Sequence, residues 1–99
     1  MFSHIVVFWT DPAQPEAVDK IVAGANRLLA GIPGVVKLHA GKMVASPRPV
    51  VEHTYSVALN LTFASKEAEA TYQTQPQHVE FVRNFVNPFV KKVVVYDFE

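Results

Sequence analysis

A chain of 99 residues, 49% hydrophobic and 18% charged, is enough for one domain and too apolar to stay disordered. Its nine basic and nine acidic residues cancel with no block of Lys or Arg, which argues against a nucleic-acid or anionic-membrane surface. Cysteine is absent, excluding disulfides, thiol nucleophiles and thiolate metal sites. The opening MFSHIVVFW has no basic leader, and His4 interrupts its short apolar run. Neither a signal peptide nor a membrane span is expected, and the sequence reads as a soluble, cytoplasmic protein.

Taken in chain order, Phe2 to Thr10 is a near-continuous, β-branched apolar run stopped by Asp11-Pro12, the pattern of a strand covered on both faces. From Pro15 to Ala30 the apolar spacing turns helical, through Val18, Ile21, Val22, Ala25, Leu28 and Leu29. Glu16 and Asp19 at its start and Arg27 at its end suit the helix dipole. The Gly31-Ile32-Pro33-Gly34 turn stops this helix and leads into a second strand, Val35 to Lys42. Met43 to Glu52, with two prolines, reads as a loop without a catalytic signature.

The third strand is expected over His53 to Phe63. Period two puts Tyr55, Val57, Leu59, Leu61 and Phe63 on a dry core, and Thr54, Ser56, Ala58, Asn60 and Thr62 on the other face. Ser65 caps a short helix running through Glu69 to about Tyr72. Pro76 then opens a further helix whose stripe is His78, Phe81, Val82, Phe85 and Phe89, with Pro88 ending or bending it. Lys92 to Phe98 forms the last strand, Val93 and Val95 facing one way and Val94, Tyr96 and Phe98 the other.

This β-α-β-β-α-α-β order predicts a single ferredoxin-like α+β domain over residues 1–99, with an antiparallel sheet. The helices are too few to cover both sheet faces, yet the first and last strands are apolar on both. A homodimer packed sheet to sheet, closing an α/β barrel, answers that excess.

Four histidines, His4, His39, His53 and His78, are the groups most able to titrate near neutral pH, and no two stand at the HExxH helical spacing. His4 and His39 lie in strands, where a two-histidine metal site would need those strands to be neighbours on one face. His4 shares its strand face with Val6 and Phe8 and should look into the core of Val57 and Leu59, beneath the helix bearing Phe81. Tyr72 and His78 flank a turn six residues apart, so His4, Tyr72 and His78 can converge at one end of that core. A phenol and an imidazole in an apolar pocket can move protons, His78 as base and Tyr72 as donor to a developing oxyanion. Equally, Tyr72 and His78 taken singly fit a corner-filling phenol and a satisfied helix-start imidazole.

The opening Phe2-Ser-His4-Ile-Val-Val-Phe8, the Gly31-Ile-Pro-Gly-Val35 turn, the Tyr72-(x)3-Pro76-x-His78-x-x-Phe81 segment and the ending Val93-Val-Val-Tyr-Asp97-Phe98 resemble the stress-responsive dimeric A/B barrel family along essentially the whole chain. The resemblance implies a ferredoxin-like protomer paired through its sheets, with no metal and no cofactor: a stress-response homodimer, of a family many of whose members have no known catalysis, that holds a small apolar or aromatic ligand or simply resists denaturation. As the alternative, the olivetolic acid cyclase branch implies a cofactor-independent proton-transfer enzyme, there an aldol-type ring closure, on a Tyr/His pair matched here by Tyr72 and His78, with His4 as a pocket residue. The chain departs from that branch where Val57 replaces a pocket His and Gln75 the His before the proline. His4, Val6, Phe8, Val57, Leu59 and Phe81 are therefore the expected ligand contacts. A weaker alternative, from monooxygenases of related dimeric barrels, some of whose relatives hold haem, would use Trp9, Phe8 and the phenylalanines of the last helix as an aromatic pocket.

Overall fold

The computed structural model describes all 99 residues. Strand β1 (Phe2–Thr10) leads to helix α1 (Glu16–Leu28), and β2 (Val35–Lys42) and β3 (Val57–Phe63) follow. Helices α2 (Lys66–Gln73) and α3 (Pro76–Phe81), a π-helical turn over Val82–Val86 and strand β4 (Val90–Phe98) complete the chain. The strands form one antiparallel sheet in the order β2-β3-β1-β4, the ferredoxin-like α+β arrangement expected from the sequence. The molecule measures 36 × 30 × 17 Å. Its short dimension is one sheet and one helical layer, so the other sheet face has no cover of its own.

Alternation along β1 decides what each face carries. Phe2, His4, Val6 and Phe8 are buried under the helices, while Ile5, Val7 and Trp9 turn to the open side and are only half-buried. On β3, Val57, Leu59, Leu61 and Phe63 are all fully buried beneath the helices. The β1–β4 register, with His4 opposite Asp97, Val6 opposite Val95 and Phe8 opposite Val93, sends Asp97, Val95 and Val93 to the helical side. Val94, Tyr96 and Phe98 therefore join Ile5 and Val7 on the open side, and Tyr96 and Phe98 are each 59% exposed.

Helix α1 lays Ile21, Ala25 and Leu29 on the core, and the chain leaves it through Gly34, whose φ of +97° suits glycine alone. Ser65 Oγ accepts the Ala68 N–H at 3.1 Å and caps α2, while Pro76 opens α3 where its missing N–H costs nothing. No helix is long and apolar enough to cross a membrane.

Three details differ from the expectation. β3 starts at Val57 rather than His53: main-chain pairing reaches back only to Ser56, whose N–H bonds the Phe8 carbonyl at 2.8 Å and whose carbonyl takes the Met43 N–H at 3.1 Å, while before it Thr54 is held locally by Glu52. Tyr55 accordingly leaves the core and meets Trp9 edge-on at 6.4 Å, among residues of the open face. The helix from Pro76 is also not uniform. Pro88 has no N–H for the turn before it, and that turn widens so that the Asn87 N–H reaches the Val82 carbonyl at 2.9 Å.

The π turn packs on α1 where Gly24 leaves room, and a Cβ there would stand 2.9 Å from three atoms of the Phe85 ring. That ring is also pinned by Phe81 at 5.9 Å and by the Arg27 guanidinium at 5.8 Å. Gly24→Ala should therefore lose stability: overpacking costs about 1–3 kcal/mol, against a helix-propensity gain of about 1 kcal/mol. A lower urea midpoint at fixed protein concentration is the expected result, and a raised midpoint would show that the contact yields.

Candidate functional site

Between the sheet and the helices of the β4 side lies a cavity of about 200 Å³. His4, Val6 and Phe8 of β1, Leu59 of β3 and Val93 and Val95 of β4 form its floor. Tyr72 and Gln73 of α2, His78 and Phe81 of α3 and Val82 and Val86 of the π turn form its roof. The wall is thus largely apolar, with the polar atoms of His4, Tyr72, Gln73 and His78 set into it.

Local folding explains the convergence. α2 stops after Gln73, and the Gln75 N–H bonds the Tyr72 carbonyl at 3.2 Å, a reversal that brings His78 back over Tyr72. Their rings meet edge to face with centroids 4.7 Å apart. Tyr72, 2% exposed, is wedged further by Phe63 at 5.0 Å and by His4 at 6.1 Å. Its hydroxyl makes no hydrogen bond within the chain. No fully enclosed polar side-chain atom lacks a partner, so this hydroxyl retains some accessibility, which the cavity it borders supplies.

Burial pushes the Tyr72 phenol well above its usual pKa of 10.0, and the nearby Glu69 charge adds to the effect. Burial also dominates at His78, lowering its pKa from the usual 6.5. The Gln73 backbone opposes that shift, a charge on His4 reinforces it and Glu69 opposes it. The phenol thus keeps its proton and the imidazole tends to the free base, the protonation states a donor and a base require.

His4, 5% exposed, is tied down at the cavity's far edge: its Nδ1 lies 2.5 Å from Asp97 Oδ1 and 3.8 Å from Glu69 Oε2. Glu69 in turn accepts the Gln73 side-chain N–H at 2.5 Å. These three residues bring one ligating atom each within 4.8 Å of one another, the geometry from which a metal site can be built. A transition metal needs about 2.0–2.2 Å to N and O, which at a 90° angle separates the two donors by about 2.9 Å. The 2.5 Å contact is instead that of a charge-assisted hydrogen bond.

His4, Val6, Phe8, Leu59, Tyr72, His78 and Phe81 thus all border one cavity. Val57 does not: it is sealed in the core one step along β3 from Leu59 on the same face. The paired-histidine metal site is overturned. His39 pairs with Asn60, itself opposite Ile5, so it projects from the open face while His4 projects from the other. His53 is exposed in the loop before β3. Trp9 stacks beneath the Lys92 ammonium on the open side, and Phe85 and Phe89 pack by α1 under Arg27 and Lys20, which removes most of the aromatic pocket that the monooxygenase alternative required.

Sequence reading missed Gln73, Val82, Val86, Val93 and Val95, and the two carboxylates at His4. Val93 and Val95 had a signal, since with Asp97 they share one face of a period-two strand. Glu69 had one in its place one helical turn before Tyr72.

A four-stranded antiparallel sheet under one layer of helices, with a largely apolar cavity between them edged by a buried phenol and two imidazoles, is a ferredoxin-like α+β domain in kind. More closely, the chain belongs to the Stress responsive A/B Barrel Domain family, whose model matches residues 2–99. The stress-response A/B barrel domain-containing protein HS1 of Arabidopsis thaliana is 30% identical over 95 residues, 96% of this chain and 84% of that protein. A solved Mesorhizobium loti structure, described as a Dabb family protein with a ferredoxin-like fold, superposes with a TM-score of 0.80 at 25% identity, covering 99% of this chain and 94% of its own. The hydroxynitrile lyase of Passiflora edulis shares the fold with a TM-score of 0.75 at 24% identity, over 98% of this chain and 90% of that one. Other neighbours, at 18 to 21% identity, are described as dimeric ferredoxin-like proteins.

The two perturbed groups leave opposite marks on stability. With its pKa lowered in the fold, His78 makes the unfolded chain the better proton binder near and below pH 6.5, so stability falls as pH drops through that range. With its pKa raised, Tyr72 makes the folded chain the better proton binder, so stability falls as pH climbs past 10. Urea midpoints measured against pH should lose the acid-side slope in His78→Leu and part of the alkaline slope in Tyr72→Phe. Unchanged slopes would mean that neither group is perturbed by burial.

Proposed function

We propose that this chain is a homodimeric A/B barrel protein that takes a small apolar or aromatic carbonyl-type ligand into the cavity and moves a proton on it without a cofactor. The observation that carries the reading is the edge-to-face Tyr72–His78 pair, 4.7 Å between ring centroids, at the border of a largely apolar cavity. His78 is the base, and its lowered pKa keeps the neutral form available. Tyr72 is the donor to a developing oxyanion, and its unbonded hydroxyl has no protein partner to abandon first. About 200 Å³ is below the roughly 300–1,000 Å³ of drug-sized sites and fits a single ring or a short chain better than a large polyketide. The fold shared with a hydroxynitrile lyase makes cleavage or formation of a carbon–carbon bond next to oxygen a reasonable first reaction class.

The homodimer rests on the uncovered sheet face. Ile5, Val7, Val94, Tyr96 and Phe98 form an apolar patch across two adjacent strands, and a second copy covers it with the same patch. The dimeric neighbours are in keeping with that occupant. Light scattering at micromolar concentration should give twice the 11.0 kDa chain mass, and Val94→Asp with Tyr96→Asp should return it to one. A wild-type monomer would refute the pairing.

Turnover should be sought first with enolisable aromatic ketones, short diketones and aromatic hydroxynitriles. On a substrate so found, His78→Ala should lower kcat by about a hundred- to ten-thousandfold. Tyr72→Phe should lower it by about a hundred- to a thousandfold, the loss expected for one oxyanion donor. The wild-type rate should persist to below pH 6.5 before falling, because protonation of His78 is displaced downward. Full activity in both variants would remove catalysis from this pair.

A further inference from the structure

His4 borders the same cavity, is more deeply buried than His78 and has no part in the step just described. We propose that His4 is the cavity's second proton-transfer group, acting as the acid when His78 acts as the base, and that Asp97 is the residue that positions it. The proposal rests on the proton-transfer reading of the cavity and extends it to residues across the sheet.

The geometry that supports it begins with the backbone. His4 and Asp97 are directly opposed in the β1–β4 register and share the helical face, so the ladder itself delivers the carboxylate to the ring. The Nδ1···Oδ1 distance of 2.5 Å is short even for a charged hydrogen bond. A carboxylate can only accept, so Nδ1 carries the hydrogen, and Nε2 is left as the nitrogen that exchanges protons. Glu69 Oε2, 3.8 Å from the same Nδ1 and itself 9% exposed, is a second negative charge at the ring. The Asp97 side chain is 43% exposed, so it joins a buried imidazole to solvent at the sheet edge. The titratable groups facing His4 are thus Asp97 from β4, Glu69 and Tyr72 from α2 and, across the cavity, His78 from α3.

Charge bookkeeping across the cavity supports the division of labour. A charge on His4 disfavours a charge on His78, so the two rings are suited to hold one proton between them. In the step envisaged, His78 takes a proton from a C–H or O–H of the ligand, whose electron pair stays with the ligand. Protonated His4 then gives its Nε2–H to the ligand atom where that pair comes to rest, an oxygen or a departing carbon. One N–H forms and one breaks, the cavity carries a single positive charge before and after, and the rings reset by exchange with water.

The test combines a spectroscopic and a kinetic reading. Nitrogen-15 shifts of the neutral His4 ring should report the Nδ1–H tautomer in the wild type, and a mixture shifted toward Nε2–H in Asp97→Ala. A wild-type Nε2–H tautomer, or one that ignores Asp97→Ala, would overturn the positioning role whether or not a substrate is known. With an aromatic hydroxynitrile or enolisable ketone that turns over, Asp97→Ala should cut kcat on the order of a hundredfold at nearly constant KM, and Asp97→Glu should restore part of it. Asp97 lies one residue from the end of an edge strand and is partly exposed, and Asp97→Asn serves as a second variant if the alanine form folds poorly. Should Asp97→Ala be fully active while His78→Ala is dead, the proposal fails and the Tyr72–His78 reading survives. The reverse pattern would sink that reading and leave His4 as the working group.

Discussion

The pairing of β1 with β4 is the constraint from which the site follows. β1 is the inner strand through which β4 joins the sheet, and their antiparallel register admits no one-residue slip without turning every side chain to the wrong face. Held in that register, Val6 and Phe8 meet Val95 and Val93 to make an apolar floor, and His4 meets Asp97 at its end. A ladder of main-chain hydrogen bonds therefore does for this ring what a second shell of side chains does in many other sites. It holds the imidazole in place from within the chain itself.

The roof is held differently. Tyr72 and His78 sit on two short helices whose separate existence depends on the break at Thr74-Gln75 and the restart at Pro76. α2 alone has only eight residues, too few to persist without packing. Its phenol wedged against Phe63 and His4 supplies much of that packing. The group assigned to catalysis is thus also part of what keeps its own helix in place. This explains why the hydroxyl, at the one end of the ring that packing does not need, is free of protein partners.

Much of the arrangement was legible in the sequence, and the failures have physical causes. Period-two alternation in β3 and helical spacing in α1 give the core directly, because one buried face leaves its period in the residues. Ser65 and Pro76 mark helix starts by their own chemistry. The Tyr72–His78 meeting could be anticipated because it spans a single turn. The His4–Asp97 contact joins residues 93 positions apart, and only the register brings them together. His39 shows the same limit from the other side. A strand pattern says that neighbours alternate, but not which parity faces the helices when both faces are apolar or mixed. Tyr55 departs from the period because main-chain pairing ends at Ser56, and the segment before it is held by local bonds such as that of Thr54 to Glu52.

β1 also links the cavity to the uncovered sheet face. Its even-numbered side chains, His4, Val6 and Phe8, line the cavity, and its odd-numbered ones, Ile5 and Val7, lie in the uncovered face. β4 repeats this with Val93, Val95 and Asp97 against Val94, Tyr96 and Phe98. Strands paired by a full ladder move as a unit, so a partner that flattens or twists the open face alters the spacing of cavity residues one peptide away. β4 is an edge strand, and Asp97, which holds His4, lies one residue before its last residue, Phe98. A second protomer seated on Tyr96 and Phe98 would brace that end of the edge strand and keep the carboxylate against the ring. Under the proposed function, pairing and chemistry would then not be separate properties of the fold: the same two strands would bear both, and what steadies one face would steady the other.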